Sequence, residues 1–284
     1  MTAMLYNSPS AIRKFLDEKG LGMRKKYGQN FLVNPGIRQK LFSALEAKAG
    51  ESVWEVGPGI GAMTGMMLEK GLKVRAFEID PGFNRVLREI FQLNNDLVLV
   101  EGDVLKTWPS QPPADYLLGN LPYNIAAALL AELIIQGRFF KRMAVTVQRE
   151  VAQRMASSCG RPDYSLLSVI CASAYHVKPL MFIKSASFYP RPNVDSQGLL
   201  LELKNVPALP ACFFQLVKHL FSSRRKTVKN NLSAYLSAKQ INASGMEILR
   251  QCGINGGKRA EELTLEDFIL LAKTVENMDN GKVG

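Results

Sequence analysis

The feature that most restricts what this chain can fold into is an alternation of strand-like and helix-like runs between residues 51 and 148. SVWEV gives way to a glycine turn and the helical MTGMMLEKG, and KVRAFEI to FNRVLREIFQL; then come LVLVEGD, DYLLGN, the helical IAAALLAELII and RMAVTVQ. Apolar strands separated by helical crossovers build right-handed βαβ units, so the pattern predicts an α/β fold around a mostly parallel sheet. Further on, AYHVKPLMFI and GLLLELK read as two more strands paired antiparallel at one edge, with the proline-rich SASFYPRPNVDS as a loop between them.

Upstream, SAIRKFLDEKG reads as a short amphipathic helix capped by Ser10 and stopped by Gly20, with Ile12, Phe15 and Leu16 on one face. An irregular basic stretch, MRKKYGQNFLVNP, follows. NVPALP at 205–210 has the composition of a linker, and beyond it ACFFQLVKHLFSSRRKTVKNNLSAYLS, SGMEILRQCG and TLEDFILLAKTV are helical, the last opening on a Thr264/Asp267 capping box. The predicted organisation is an α/β domain with a basic N-terminal arm over 1–204 and a smaller all-helical domain over 205–284, frayed from Asn277.

Composition bears on partners. The formal net charge of +11 points to a polyanion, because clustered Lys and Arg bind phosphates by releasing counterions. Four cysteines without a C-x-x-C pair, and two histidines without a ligand-spaced companion, predict reduced thiols and no metal. MTAMLYNSPS lacks a basic and an apolar leader region, and IAAALLAELII is short for a bilayer and carries Glu132, so the expectation is a cytoplasmic protein without a membrane segment.

The chemistry sits at the predicted strand ends. Glu55 precedes Gly57-Pro-Gly59-Ile-Gly61, a turn that lets backbone approach a ligand closely. Glu78 ends the second strand, placed to accept from both ribose hydroxyls, and Asp103 ends the third, where it can accept from an adenine amino group. An acidic series of this kind suits a cofactor with ribose, adenine and a positive centre but no phosphates, which describes S-adenosylmethionine better than a nicotinamide dinucleotide. Asn120-Leu121-Pro122-Tyr123 ends the fourth strand on the same edge. An adenine exocyclic amine is a poor nucleophile, its lone pair being delocalised into the ring. The Asn120 side-chain oxygen and the Leu121 carbonyl can hold its two hydrogens, Pro122 fixes the backbone and offers no competing N–H, and Tyr123 can stack on the base. Phe188, or alternatively Tyr189, is the candidate for the opposite face of that base. Arg224, Arg225, Lys226 and Lys229 form a basic cluster around a predicted helix, able to track phosphates without naming their sequence.

KKYGQNFL, EVGPGIGAMT, FEID, EGDVL, GNLPYNI, SFYPRPNVDS, SSRRKTVKNNL and RAEELTLEDF together resemble the small-subunit (16S) ribosomal RNA adenine N6,N6-dimethyltransferases over nearly the full chain. The first six motifs occur in variant form in related adenine methyltransferases; the last two point to the small-subunit branch. The resemblance implies a Rossmann-like class I S-adenosylmethionine-dependent methyltransferase sheet with a helical C-terminal domain, acting as a monomer on the immature small subunit. It implies that Asn30 and Leu32 close over the cofactor, Gly57 contacts its methionine part with Gly59 also cofactor-binding, Glu78 takes the ribose, Asp103 the adenine, and Asn120 both cofactor and target amine. The implied reaction dimethylates two adjacent adenosines in the 3′-terminal hairpin loop of small-subunit rRNA during ribosome assembly. PRPNVDS departs from the family in the arginine between its prolines and in an asparagine where lysine is common. Three rival readings stand beside it: a large-subunit rRNA adenine methyltransferase of the macrolide-resistance type, a non-catalytic assembly or transcription factor on the same scaffold, and a nicotinamide or flavin oxidoreductase.

Overall fold

The computed structural model describes residues 4–24, 27–205 and 208–280. The basic pair at 25 and 26, linker positions 206 and 207, and the last four residues lie outside the described residues.

Nine strands are described: β1 (Phe31–Leu32), β2 (Ser52–Val56), β3 (Lys73–Glu78), β4 (Leu97–Glu101), β5 (Tyr116–Asn120), β6 (Arg142–Gln148), β7 (Tyr175–Ile183), β8 (Phe188–Tyr189) and β9 (Ser196–Leu203). Seven of them form one sheet in the order β4-β3-β2-β5-β6-β9-β7. The pairs β2/β3, β3/β4, β2/β5 and β5/β6 are parallel, while β9 runs antiparallel to β6. The expected strands are all present, and the carboxyl ends of β2, β3, β4 and β5 share one edge of the sheet.

Alternation along β2 sends Val53 to one face and Trp54 to the other. On the first face Val53, Val74, Ala76 and Leu118 pack with Leu41, Leu45, Met63 and Met67 from the helices Pro35–Leu45 and Ala62–Glu69. Trp54 is edge-on to Phe77 and Phe140, with ring centroids 4.8 and 5.3 Å apart. Burying each large aliphatic side chain contributes about 1.5–3 kcal/mol, so the strand ends rest on a rigid floor.

Three local expectations are corrected. The first amphipathic helix is Pro9–Glu18, and Ser8 rather than Ser10 caps it: Pro9 takes the first helical position and the Ser8 hydroxyl accepts from the Ala11 N–H at 3.3 Å. The stretch containing GQNFL and the proline-rich loop are not wholly irregular, because Phe31 pairs with Tyr189 and Leu32 with Phe188 in a two-stranded antiparallel ribbon. The long helical run after the linker is two helices, Phe213–Phe221 and Val228–Ala238. The buried Asn231 amide donates to the Leu220 and Ser223 carbonyls at 3.0 and 3.2 Å, and Thr227 caps the second helix, which closes the turn between them. The Thr264/Asp267 capping box forms with both reciprocal bonds, at 2.9 and 3.1 Å.

The chain divides into two compact units: the residues up to Ala152 with His176–Leu203, and Gln153–Tyr175 with the residues from Lys204 onward. The segment 153–175 thus belongs with the C-terminal helices, not with the α/β domain in which the sequence places it. Its Tyr164 and Val169 are buried in the second unit's core with Phe213, Leu216, Leu232 and Phe268, and that apolar burial decides the assignment. No helix among the described residues is long and apolar enough to cross a membrane.

Candidate active site

The shared strand edge opens into a cleft of about 840 Å³, its open mouth included, within the first unit. One wall is the turn after β2. Gly57, Gly59 and Gly61 all have left-handed backbones (φ 72°, 58° and 89°), which favours glycine. A Cβ on Gly59 would lie 2.8 Å from the Phe31 ring. The Gly57 N–H donates to the Phe77 carbonyl at 3.0 Å, tying the turn to β3.

Glu78 ends β3 and is only 4% exposed. Its carboxylate accepts from the Gly59 N–H at 3.1 Å and the Asp80 N–H at 2.8 Å, so it braces the glycine turn while facing the cleft. Burial pushes its carboxyl up to about 7 against the pull of those amides. Asp103, half-buried in the cleft wall, spends one oxygen on the Leu105 N–H at 3.0 Å at the start of the short helix Val104–Thr107. Glu55 is fully buried and does not line the cleft. One of its oxygens accepts from the Thr64 hydroxyl at 2.6 Å, and the other has no hydrogen-bond partner among the described residues. Burial, with some repulsion from Glu78, raises its carboxyl to about 8.

Asn120, at the end of β5, faces the cleft with both halves of its amide held. The Nδ2 group donates to the Asn30 main-chain carbonyl at 2.5 Å, and Oδ1 accepts from the Thr146 hydroxyl. Asn30 is held in turn by donating to the Gly28 carbonyl at 3.0 Å. The Leu121 N–H donates to the Thr146 carbonyl at 3.2 Å, fixing the turn in which Pro122 lines the cleft.

The remaining expected residues sit elsewhere. Leu32 is buried and borders a smaller adjoining cavity together with Asn30, Phe31, Gly57 and Asn120. Tyr123 does not line the cleft, and its hydroxyl is hydrogen-bonded to the Ser196 Oγ at 2.6 Å. Phe188 is 3% exposed, packed into the core opposite Leu32, so as placed its ring does not face the cleft. Tyr189 packs against the cluster of Ile12, Leu16, Val33, Ile60 and Phe83. The sequence reading passed over Phe31, Phe83, Ile79 and Ile125, which supply apolar cleft wall, and Phe31 meets Phe83 edge-on at 5.6 Å. Ile79 carried a sequence signal, as an apolar residue directly after the key Glu78. Gln29 also lines the cleft and donates to Asp80 at 3.0 Å.

In the second unit Arg224, Arg225 and Lys226 lie in the turn between the two helices, and Lys229 in the first helical turn after it; all four are exposed. Arg224 is committed to Glu261 through two hydrogen bonds at 2.8 and 3.0 Å. The charged groups of Arg225, Lys226 and Lys229 have no ion-pair partner among the described residues.

The strand order, the antiparallel strand β9 beside β6 and the carboxylates flanking a glycine turn define a class I methyltransferase. A profile of the ribosomal RNA adenine dimethylase family matches residues 20–277, and the chain belongs to that family. Ribosomal RNA small subunit methyltransferase A of Treponema denticola is 40% identical over 96% of both chains. Its Treponema pallidum counterpart is 43% identical over 95% of this chain and 97% of that one. Among solved structures, a dimethyladenosine transferase from Plasmodium falciparum is 26% identical with a TM-score of 0.73, covering 87% of this chain and 97% of that one. The 23S rRNA methyltransferase ErmE shares the fold at 20% identity and a TM-score of 0.64, over 86% of this chain and 99% of that one. The protein is accordingly an enzyme of the methyltransferase class.

Proposed function

We propose that this enzyme dimethylates two adjacent adenosines in the 3′-terminal hairpin loop of small-subunit rRNA, using S-adenosylmethionine, on a subunit still being assembled in the cytoplasm. The observation that carries the reading is the fixed Asn120 amide at the end of β5, facing a cleft that also holds Glu78 and Asp103. The names of the relatives support the substrate.

The residues present fit the cofactor. Glycines keep the cleft wall bare of side chains where a Cβ on Gly57 would reach toward Pro122, at 3.6 Å. Glu78 would take the ribose hydroxyls and Asp103 the adenine amino group, with Gly57, Gly59 and Asn30 bordering the rest. When bound, S-adenosylmethionine supplies an electrophilic methyl on a sulfonium centre. Asn120 Oδ1 and the Leu121 carbonyl accept the two hydrogens of the target amine and so hold its nitrogen with the lone pair directed into the cleft. No side-chain base is required, because the nitrogen becomes acidic on methylation and its proton leaves to water. Arg225, Lys226 and Lys229 hold RNA phosphates and set position without reading sequence.

The test is transfer of labelled methyl groups from S-adenosylmethionine to small subunits lacking the modification, with large subunits in parallel, followed by identification of the modified nucleoside. Dimethyladenosine in the small subunit alone is expected. Label in the large subunit would give it the activity of the macrolide-resistance type, and no label in either would leave a non-catalytic assembly factor.

A further inference from the structure

β5 and β6 are parallel neighbours with Asn120 opposite Thr146. Residues in register send their side chains to the same face of a sheet, so these two meet at the cleft end of the pair. Thr146 is fully buried, between Val145 and Val147, which are buried as well. Two facts fix which way its hydroxyl points. The Asn30 main-chain carbonyl can only accept, so the part of the Asn120 amide facing it, at 2.5 Å, is the Nδ2 group. That leaves Oδ1 on the opposite side, against the Thr146 hydroxyl, which must therefore donate. An amide oxygen has two in-plane lone pairs, and Thr146 occupies one of them. The other stays available for a donor arriving in the cleft.

We propose that Thr146 is a positioning residue: through its hydroxyl it locks the Asn120 amide plane so that an oxygen lone pair, rather than an N–H, meets the target amine. The proposal rests on the reading that Asn120 accepts that amine. With the Asn30 bond alone the amide is held at one end and its plane can swing about that tether. A displacement of the acceptor by a fraction of an ångström is enough to slow a reaction governed by alignment.

Thr146→Val keeps the shape and removes the hydroxyl that donates to Asn120. Three variants are compared, Thr146→Val, Thr146→Ser and Asn120→Ala, each with its melting temperature, its Kd for S-adenosylhomocysteine by calorimetry, and kcat and KM on undermethylated small subunits. Thr146→Val is expected to lower kcat by about tenfold or more while KM and the calorimetric Kd stay within about threefold, and Thr146→Ser is expected to recover most of the rate. Retention of kcat within about threefold in Thr146→Val overturns the proposal. So does a serine variant as slow as the valine one, or a fall in melting temperature and ligand affinity that tracks the fall in rate. If Thr146→Val is fully active while Asn120→Ala is dead, only the role of Thr146 is lost. Full turnover in Asn120→Ala would instead remove the amine-positioning reading itself, and the proposal with it.

Discussion

If Glu78 holds a ribose as an anion, affinity for the cofactor has to follow its titration. Burial raises this carboxyl to about 7, so the ligand-free protein carries it neutral in mild acid and charged in mild base. A ligand that engages only the charged form releases a proton on binding below that value. Affinity therefore rises with pH up to about 7 and levels above it. With that value, about nine-tenths of the carboxyl is ionised at pH 8 and about three parts in a hundred at pH 5.5, so binding weakens by about thirtyfold between them. S-adenosylhomocysteine is the better probe, because its sulfur is uncharged and adds no attraction of its own. Calorimetry at several pH values, in two buffers of different ionisation heat, gives affinity and protons released together. Glu78→Gln is expected to bind more weakly at pH 8 and to lose the slope below pH 7. Affinity that is flat from pH 5.5 to 8, or an acid slope unchanged in Glu78→Gln, would refute the anionic-ribose reasoning.

The buried Glu55, raised in the same direction, carries a stability consequence of opposite sign. Its carboxyl goes from an ordinary 4.5 in the unfolded chain to about 8 in the fold, so the neutral form's contribution is full below 4.5 and lost as pH rises through 8. The loss amounts to about 4–5 kcal/mol, so Glu55→Gln should unfold in denaturant almost like the parent near pH 4.5 and be more stable by about that much at pH 9. Parallel stability curves would contradict it. Gly59→Ala combines a left-handed backbone, φ 58°, with a methyl 2.8 Å from the Phe31 ring. It should cost about 1–2 kcal/mol from the backbone alone and weaken cofactor binding, and normal affinity by calorimetry would show that the turn tolerates the bulk. For RNA, neutralising Arg225 or Lys229 should each lower the slope of log affinity against log salt by about one. Arg224→Ala should change the slope less, because Glu261 already holds that guanidinium; equal slopes for all three would mean that the pair opens on binding.

The reach of the sequence ended where contacts stopped being local. Glu78 and Asn120 were legible because each closes a strand whose apolar run and following helix repeat a pattern, and the sheet brings such ends to one edge; Asp103, expected to end β4, instead caps the helix after it, since β4 stops at Glu101. The pairing of Phe31–Leu32 with Phe188–Tyr189 was not: two residues per strand show no periodicity, and in sequence the partners lie on either side of six of the sheet's seven strands. For the same reason Phe188 read as a free ring when Leu32 and the core claim it. The helix Pro35–Leu45 went unread although Asn34-Pro35 is a start signal, with the Asn34 side chain accepting from the Ile37 N–H at 3.1 Å. The membership of 153–175 in the second unit depends on Tyr164 and Val169 finding Phe213 and Phe268, which no window along the chain contains.

Thr146 marks that boundary sharply. Nothing in RMAVTVQ distinguishes it from any threonine in a buried strand; only the register of β5 against β6 makes it the partner of Asn120. A slip of one residue would set Val145 or Val147 there and bring a methyl group against the Asn120 oxygen. Two independent restraints guard against the slip. The Leu121 N–H holds the Thr146 carbonyl at 3.2 Å, and on the other side β9 pairs antiparallel along the whole of β6, from Arg142 opposite Glu202 to Gln148 opposite Ser196. Ser196 in turn holds the Tyr123 hydroxyl at 2.6 Å. Tyr123, expected to stack on a base, thus pins the turn after β5 to the strand that sets β6, and so helps keep Asn120 and Thr146 opposite one another.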